Sequence, residues 1–187
     1  MDKRIGFGPR LGAALIDFLI VCAAIVVIGP LLGGLLGAAA LSEASKEAGD
    51  PAAQGAIYGG LLGALGGLLF GGPIIGAIYF LVEGVTGYTV GKLALGIRIG
   101  TAEMTPAPIP KLLLRFCCKH PHFVLGSLSA FTFGALGGLG WALGIVAFFG
   151  CFLALGEKKQ ALHDLIAGTA VYPKAALEPQ SASQPAA

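Results

Sequence analysis

Arg10 and Asp17 are the first residues whose charge and spacing suggest chemistry, because they open a long apolar stretch. On an α-helix their seven-residue spacing places them within about 20° of one face and about 10 Å apart along the axis. A carboxylate inside a bilayer costs about 2.5–3.5 kcal/mol on insertion scales and usually faces the protein interior. Three roles stay open for Asp17: a structural polar pair, a titrating or ligand-contacting group, or a protonated carboxyl with no role.

The segment GYTVGK invites comparison with a phosphate-binding P-loop. That motif needs GxxxxGK followed by Ser or Thr, whereas Thr86 replaces the first glycine and Leu93 replaces the hydroxyl residue. We therefore reject the P-loop. We interpret the segment as a turn at the membrane surface, where Lys92 and Arg98 could hold lipid phosphates or accept a carboxylate.

Cysteine and histidine side chains gather in the segment CCKHPH, and His163 precedes Asp164. The spacing of this segment matches no recurrent zinc site, so we predict no metal and no cofactor. Adjacent helical residues point about 100° apart, so His163 and Asp164 do not form a catalytic dyad. Because the sequence contains no complete catalytic set, we expect the protein not to be an enzyme.

The composition is that of a membrane protein. Hydrophobic residues make up 56% of the 187 residues and charged residues only 12%, whereas a soluble domain has about 25% charged residues. The mean hydropathy is +0.84. The net charge of +2 is too small, and lies too close to the apolar stretches, to suggest a nucleic acid partner. The predicted partner is the lipid bilayer.

Three nearly uncharged stretches are long enough to cross about 30 Å of hydrocarbon. They predict an all-α fold, a polytopic membrane helical bundle of three to four transmembrane or hairpin helices. Gly29 and Pro30 predict the end or a kink of the first helix. The predicted membrane domain covers 1–172 and is followed by a disordered tail at 173–187. Its predicted elements are helix 1 at about 9–29, a solvated loop at 42–54, helix 2 at about 56–82, a cytoplasmic loop at 84–121, a helix or helical hairpin at 123–156 and a closing motif at 160–172.

Basic residues beside these stretches predict the orientation. Lys and Arg outnumber acidic residues before the first stretch and in 84–121, so the positive-inside rule puts the N-terminus and this loop in the cytoplasm. The stretch 123–156 is long for one helix and short for two full spans. Lys158 and Lys159 follow it directly and favour a hairpin that returns the chain to the cytoplasm.

Small residues recur every fourth position in the predicted second helix. On a helix they form one face without side chains, a glycine zipper, which lets another helix approach closely. We interpret this face as a packing surface within the chain or in a homodimer, with a glycine-lined conduit as the alternative. The residues of this face are Gly55, Gly59, Gly63, Gly67 and Gly71.

Two motifs at opposite ends of the chain resemble the RDD family of small bacterial membrane proteins. The sequence PRLGAALIDFLI resembles the family's opening helix, which gives Arg10 the arginine role and Asp17 the first aspartate role. The sequence KKQALHDLIAGTAVY resembles the closing LHDxxAGTxV motif, which gives Asp164 the second aspartate role, with His163 beside it. The two motifs occur in the order that the family has them.

A third motif between these two agrees with the resemblance. The sequence GYTVGKLALGIRI resembles the family's GxTxGKxxxGxR segment, through which Lys92 and Arg98 match. Arg115 resembles the basic position ahead of the last apolar stretch. The resemblance therefore covers the chain from about Arg10 to Tyr172.

The resemblance implies a multi-pass protein of the bacterial cytoplasmic (inner) membrane with a transport-related role. The ligand would be an unidentified ion or small molecule, and some family members are associated with cation and proton exchange. A homo-oligomer or another membrane protein is the expected partner, because three or four helices make a thin pathway alone. The alternative is a non-transporting scaffold or assembly subunit that associates through the glycine face. The candidate ion or ligand site, expected as one cytoplasmic cluster, consists of Arg10, Asp17, Asp164, Lys92, Arg98, Arg115 and His163.

Overall fold

The computed structural model describes residues 3–48, 51–129 and 134–177. The chain forms two compact units. Unit 1 contains Met1–Asp17 and Phe80–Ala187, and unit 2 contains Phe18–Tyr79. Two long helices run through both units: α1 covers Phe7–Glu47 and α2 covers Ala52–Thr86.

Unit 2 is the part of α1 and α2 where the two helices pack backbone to backbone. A Cβ added at Gly29 would lie only 2.5 Å from the carbonyl oxygen of Gly67. A Cβ on any of the other paired glycines would overlap the facing backbone as well, so only glycine permits this approach. The antiparallel pairs are Gly29 with Gly67, Gly33 with Gly63, and Gly37 with Gly59.

Both helices are longer than the sequence predicts. The first does not end at Gly29 and Pro30 but continues to Glu47, and most of the predicted solvated loop at 42–54 is helical. Inside a bilayer, backbone polar groups must be satisfied within the chain, so one proline does not end a membrane helix. The second helix likewise continues through the glycine and proline residues at 71–73.

Unit 1 adds short elements to the ends of the long helices. Thr89 starts the first of them, because its hydroxyl accepts a hydrogen bond from the Lys92 backbone N–H at 3.3 Å. Gly168 ends the last short helix in the left-handed conformation, with φ of 61°. The elements are α3 (Val90–Ala94), β1 (Ile97–Thr101), α4 (Ile109–Lys119), α5 (Pro121–Leu128), α6 (Ala135–Gly150), α7 (Leu162–Ala167) and β2 (Thr169–Pro173), with 3₁₀ turns at Cys151–Leu155 and Lys174–Ala176.

The two strands form a small antiparallel sheet that the sequence does not predict. Ile99 pairs with Val171 in its centre, and the pairing runs from Ile97 opposite Pro173 to Thr101 opposite Thr169. Its apolar side chains pack in a core with Ala13 of α1 and Leu112 of α4. The sheet therefore ties the 84–121 segment to the closing motif.

In the last third of the chain, the structure adds detail to one predicted element and corrects the start of another. The stretch predicted as one helix or a hairpin contains two helices, α5 and α6, which pack side by side. The prediction of a disordered tail is wrong for residues 173–177, because Leu177 is only 5% exposed and packs with Ala170 and Tyr172. Residues 178–187 of that tail lie outside the described residues.

Among the described residues, three helices are long and apolar enough to cross a membrane: Phe7–Glu47, Ala53–Thr86 and Leu136–Leu155. Apolar side chains along them, such as Leu36, Leu69 and Phe149, are largely exposed. A soluble protein does not expose such continuous apolar surfaces. The predicted fold class is confirmed, and the chain is an all-α membrane protein.

Candidate functional site

Asp164 is the centre of a buried ionic cluster in unit 1. Its side chain is 0% exposed. Oδ1 accepts from Arg115 Nε at 2.7 Å and from the Thr169 hydroxyl at 3.4 Å. Oδ2 accepts from Arg10 Nη1 and from the Ala161 backbone N–H, the latter at 3.2 Å. Burial alone raises the pKa of Asp164, but the Arg115 charge and its neighbours outweigh this effect and hold it well below the ordinary value.

Arg115 connects this cluster to a second carboxylate. Its Nε contacts Asp164, its Nη1 contacts Glu83, and its Nη2 lies 3.1 Å from His163 Nε2. Burial acts to lower the pKa of Arg115, yet the two carboxylates raise it above the ordinary value. We call Asp164, Arg10, Arg115 and His163 the Asp164 cluster.

The contact with Arg115 decides which nitrogen of His163 carries the proton. A guanidinium can only donate, so Nε2 accepts and the hydrogen of the neutral ring is on Nδ1. Burial, with the Arg115 charge next, lowers the pKa of His163 to about 3, so the ring is neutral at physiological pH. Among the described residues Nδ1 is buried without a hydrogen-bond partner.

The carboxylate of Glu83 forms ion pairs with three cationic side chains. Arg115 Nη1 contacts Oε1, while Lys119 Nζ at 2.8 Å and Lys92 Nζ at 3.0 Å share Oε2. Burial lowers the pKa of Lys92 to about 8, against the attraction of Glu83 and with help from the like charges of Lys119 and Arg115. We call Glu83, Lys92, Arg115 and Lys119 the Glu83 cluster.

Asp17 is only 3% exposed and holds the start of α3. Its Oδ2 accepts from the Thr89 hydroxyl at 2.6 Å, and its Oδ1 accepts from the Gly91 backbone N–H at 2.7 Å. Gly91 lies so close to α1 that an added Cβ would overlap the carbonyl oxygen of Ala13. The glycine therefore lets the start of α3 approach the carboxylate of Asp17.

The geometry can be compared with known proteins at this point. The model of the RDD family matches residues 4–168 of the chain. The chain belongs to the RDD family. No curated protein and no solved structure matches it. The family suggested by the three motifs is thereby confirmed.

The structure of this RDD protein brings most of the predicted site residues together, whereas Asp17 contacts other residues. Arg10, Arg115, His163 and Asp164 share one cluster. Asp17 has other partners, because it binds the start of α3. Arg10 instead binds Asp164 and the backbone oxygens of two other residues.

Two basic residues of the predicted site, Lys92 and Arg98, have contacts other than those that the sequence suggests. Lys92 belongs to the site through Glu83 rather than through an aspartate. Arg98 donates to the Thr86 carbonyl oxygen at 3.2 Å and lies over the Tyr88 ring, so it is not a surrounding cation of the ionic clusters. This hydrogen bond instead joins β1 to the end of α2.

The sequence does not single out Glu83 as a site residue. It is the first charge after 32 uncharged residues and, from the sequence, marks only the end of the second apolar stretch. The signal that points to it is the one used for Asp17, because an ionisable residue in a membrane helix is rarely without a partner. The sequence does not single out Lys119 either. It joins the site because its ammonium contacts the Glu83 carboxylate.

Proposed function

We propose that this RDD protein is a transport-related protein of the bacterial cytoplasmic membrane that moves an ion or small ligand. The observation that supports this proposal is the burial of Asp17 within α1, one of the helices able to span the membrane. Ionisable residues in membrane spans are expensive and typically line ion paths, substrate paths or proton relays. In this proposal the N-terminus is cytoplasmic and the protein works as an oligomer.

The surroundings of Asp17 suit exchange of a cation and a proton. A carboxylate binds either partner through the same oxygen atoms, and the Thr89 hydroxyl oxygen lies 2.6 Å from Oδ2. Carboxylate and hydroxyl oxygens are hard ligands of the kind that bind hard metal cations. The proposal therefore assigns ligand contact to Asp17 and Thr89, and assigns positioning to the Asp164 cluster.

The rival proposal, a scaffold that binds another protein through the glycine face, has less support. The central glycines of that face, Gly59, Gly63 and Gly67, already pack against α1 of the same chain. Gly71 has only ordinary contacts, and Gly55 packs against Leu41 and Ser45. A second chain would have to displace α1 to use this surface.

Flux in proteoliposomes tests the proposal. The purified protein is reconstituted with a pH-sensitive dye inside, a pH gradient is imposed, and Na⁺, K⁺ or Li⁺ is added outside. Wild-type protein is expected to dissipate the gradient on addition of at least one cation. Asp17→Asn should abolish this response, because the amide cannot exchange a proton or hold a cation in the same way.

Two features make this variant informative. The amide that Asp17→Asn introduces would keep its oxygen as the acceptor for Gly91, and the Thr89 hydroxyl can turn to accept from the new N–H, so the fold should survive. Glu43→Gln is the matched control, because it removes a carboxylate from the same helix at an exposed position with 70% side-chain exposure. Equal flux from Asp17→Asn and wild type, or flux from neither, would contradict the proposal.

A further inference from the structure

The Glu83 cluster has more cations than carboxylates. Lys92, Lys119 and Arg115 converge on the single carboxylate of Glu83. The Asp164 cluster does not correct the imbalance, because it shares Arg115 and adds one further cation, Arg10, with one carboxylate. Together the two clusters hold four cations and two carboxylates, and counting Asp17 as well still leaves the cations in excess. Buried charge of this kind requires compensation.

Hydrogen-bond donors are also in excess at the same place. An ammonium group has three N–H donors, and in the described part of the chain the Lys92 ammonium meets one acceptor, Glu83 Oε2. Lys119 uses that same oxygen. Because Lys92 is buried, bulk water does not readily satisfy its remaining donors. Among the described residues, the site therefore has fewer acceptor atoms than donors, as well as fewer negative than positive charges.

His163 provides an independent sign of a missing acceptor. Its Nδ1–H is a buried donor with no partner among the described residues, and the side chain is only 5% exposed. The same ring contacts Arg115 through Nε2, so this unpartnered donor lies on a side chain of the Asp164 cluster, which shares Arg115 with the Glu83 cluster. Buried donors in native proteins nearly always have an acceptor, from the protein, from water or from a ligand.

The cluster is also open to an incoming group on one side. Lys119 ends α4, and its side chain is 23% exposed whereas that of Lys92 is 7% exposed. On the same helix Leu113 and Leu114 are exposed apolar residues. An amphipathic helix with an apolar exposed side and a terminal lysine is typical of the interface where lipid phosphates lie.

We infer that the Glu83 cluster binds a phosphate group, which Lys119 contacts first and the buried Lys92 ammonium holds. Phosphate supplies both missing properties, negative charge and several strong acceptor oxygens. Two sources carry this group: inorganic phosphate from the cytoplasm and the headgroup of an anionic phospholipid. The inference concerns binding, so it holds independently of whether the protein transports anything.

Binding is tested in two arms with the full chain. In the first, the thermal unfolding temperature of the protein in a non-ionic detergent is measured in sodium phosphate and in sodium chloride at equal ionic strength. In the second, a fluorescent phosphatidylglycerol is titrated into nanodiscs of phosphatidylcholine that contain the protein. A higher unfolding temperature in phosphate than in chloride identifies free phosphate as the ligand. Saturable binding in the second arm alone identifies the lipid headgroup.

Lys119→Gln is the decisive variant, because Glu83 keeps Lys92 and Arg115 as partners and the fold should persist. It should weaken binding about tenfold, the effect of losing one charge-assisted contact. Lys111→Gln is the matched control, with the same charge change on the same helix, and should bind as wild type does. The inference is overturned if phosphate gives no thermal protection and the lipid shows no saturable binding, or if both variants weaken the effect equally, since that result means general attraction to basic charge.

Discussion

Arg115 holds its three neighbours through three different nitrogen atoms, each directed at a different group. Glu83 belongs to α2, while Asp164 and His163 belong to α7. A lysine could not replace it, because an ammonium is a single point donor without the fixed fork of a guanidinium. The charges of this RDD protein are therefore positioned by directional hydrogen bonds rather than by attraction alone.

His120 gives a residue-scale prediction about pH. It stacks on Phe80 with ring centroids 4.8 Å apart, and its Nε2 is buried without a partner among the described residues. Burial, with the Lys119 charge next, lowers the pKa of His120 from 6.5 to about 2. Between these two values the unfolded chain binds more protons than the folded one, so stability falls as pH falls. From pH 7 to pH 5 this loss is about 1–2 kcal/mol.

His120→Phe should remove this share of the pH dependence, because phenylalanine keeps the stacking and does not titrate. The variant should also be more stable than wild type at pH 5, measured by thermal unfolding in detergent at both pH values. His122→Phe is the control, because it removes a neighbouring histidine whose pKa is lowered by burial without a contribution from a charged neighbour. An unchanged difference between pH 7 and pH 5 in His120→Phe would contradict the assignment.

At the scale of elements, the glycines of α1 and α2 set how closely the two helices pack. Lipid tails are as apolar as leucine, so membrane helices gain little from burying apolar side chains against each other. Close backbone approach at the three glycine pairs supplies van der Waals contact instead. The packing therefore depends on the absence of a side chain at particular positions, and neighbouring glycines on the same helix do not share that role.

Two alanine substitutions on α2 separate these roles. An added Cβ at Gly63 would overlap the Gly33 carbonyl oxygen, whereas at Gly66 it would meet no atom within 4 Å. Gly63→Ala should destabilise the protein by about 1–3 kcal/mol through overpacking. Gly66→Ala should be neutral or stabilise it by up to about 1 kcal/mol, because alanine favours the helix. Unfolding in mixed micelles measures both, and equal effects would show that the glycine contact does not control stability.

At the scale of the whole molecule, the ion pairs of the site determine which parts of the chain share a side of the membrane. Arg10 contacts Asp164 although 154 residues separate them in sequence. The start of α1 and the closing motif must therefore lie on the same side. α1 has 41 residues, about twice the length that a membrane span needs, so its far end should emerge on the opposite side.

Cysteine labelling tests this orientation in a background without the four native cysteines. A membrane-impermeant maleimide added outside intact cells should label Glu43→Cys, near the far end of α1, and should not label Ser183→Cys in the C-terminal tail. After the cells are opened, both should react. Labelling of Ser183→Cys in intact cells would contradict a cytoplasmic closing motif, and with it the proposed position of the charge clusters.

The sequence by itself determined the membrane class, the all-α fold and membership of the RDD family. Apolar stretches and short motifs are local properties of the chain, so they can be recognised without knowing what lies beside them. It also identified Arg10, Asp17 and Asp164 as candidate site residues. The reasoning used for Asp17, that an ionisable residue in an apolar stretch needs a partner, applies to Glu83 as well.

Only the tertiary structure decided how those residues are paired. Asp17 binds Thr89 rather than Arg10, and Glu83 shares Arg115 with Asp164. The continuation of α1 past Pro30 and the pairing of β1 with β2 were likewise decided by packing. The physical reason is that a charge can bind any opposite charge within reach, and which one is within reach depends on how distant segments pack, which no local pattern in the chain records.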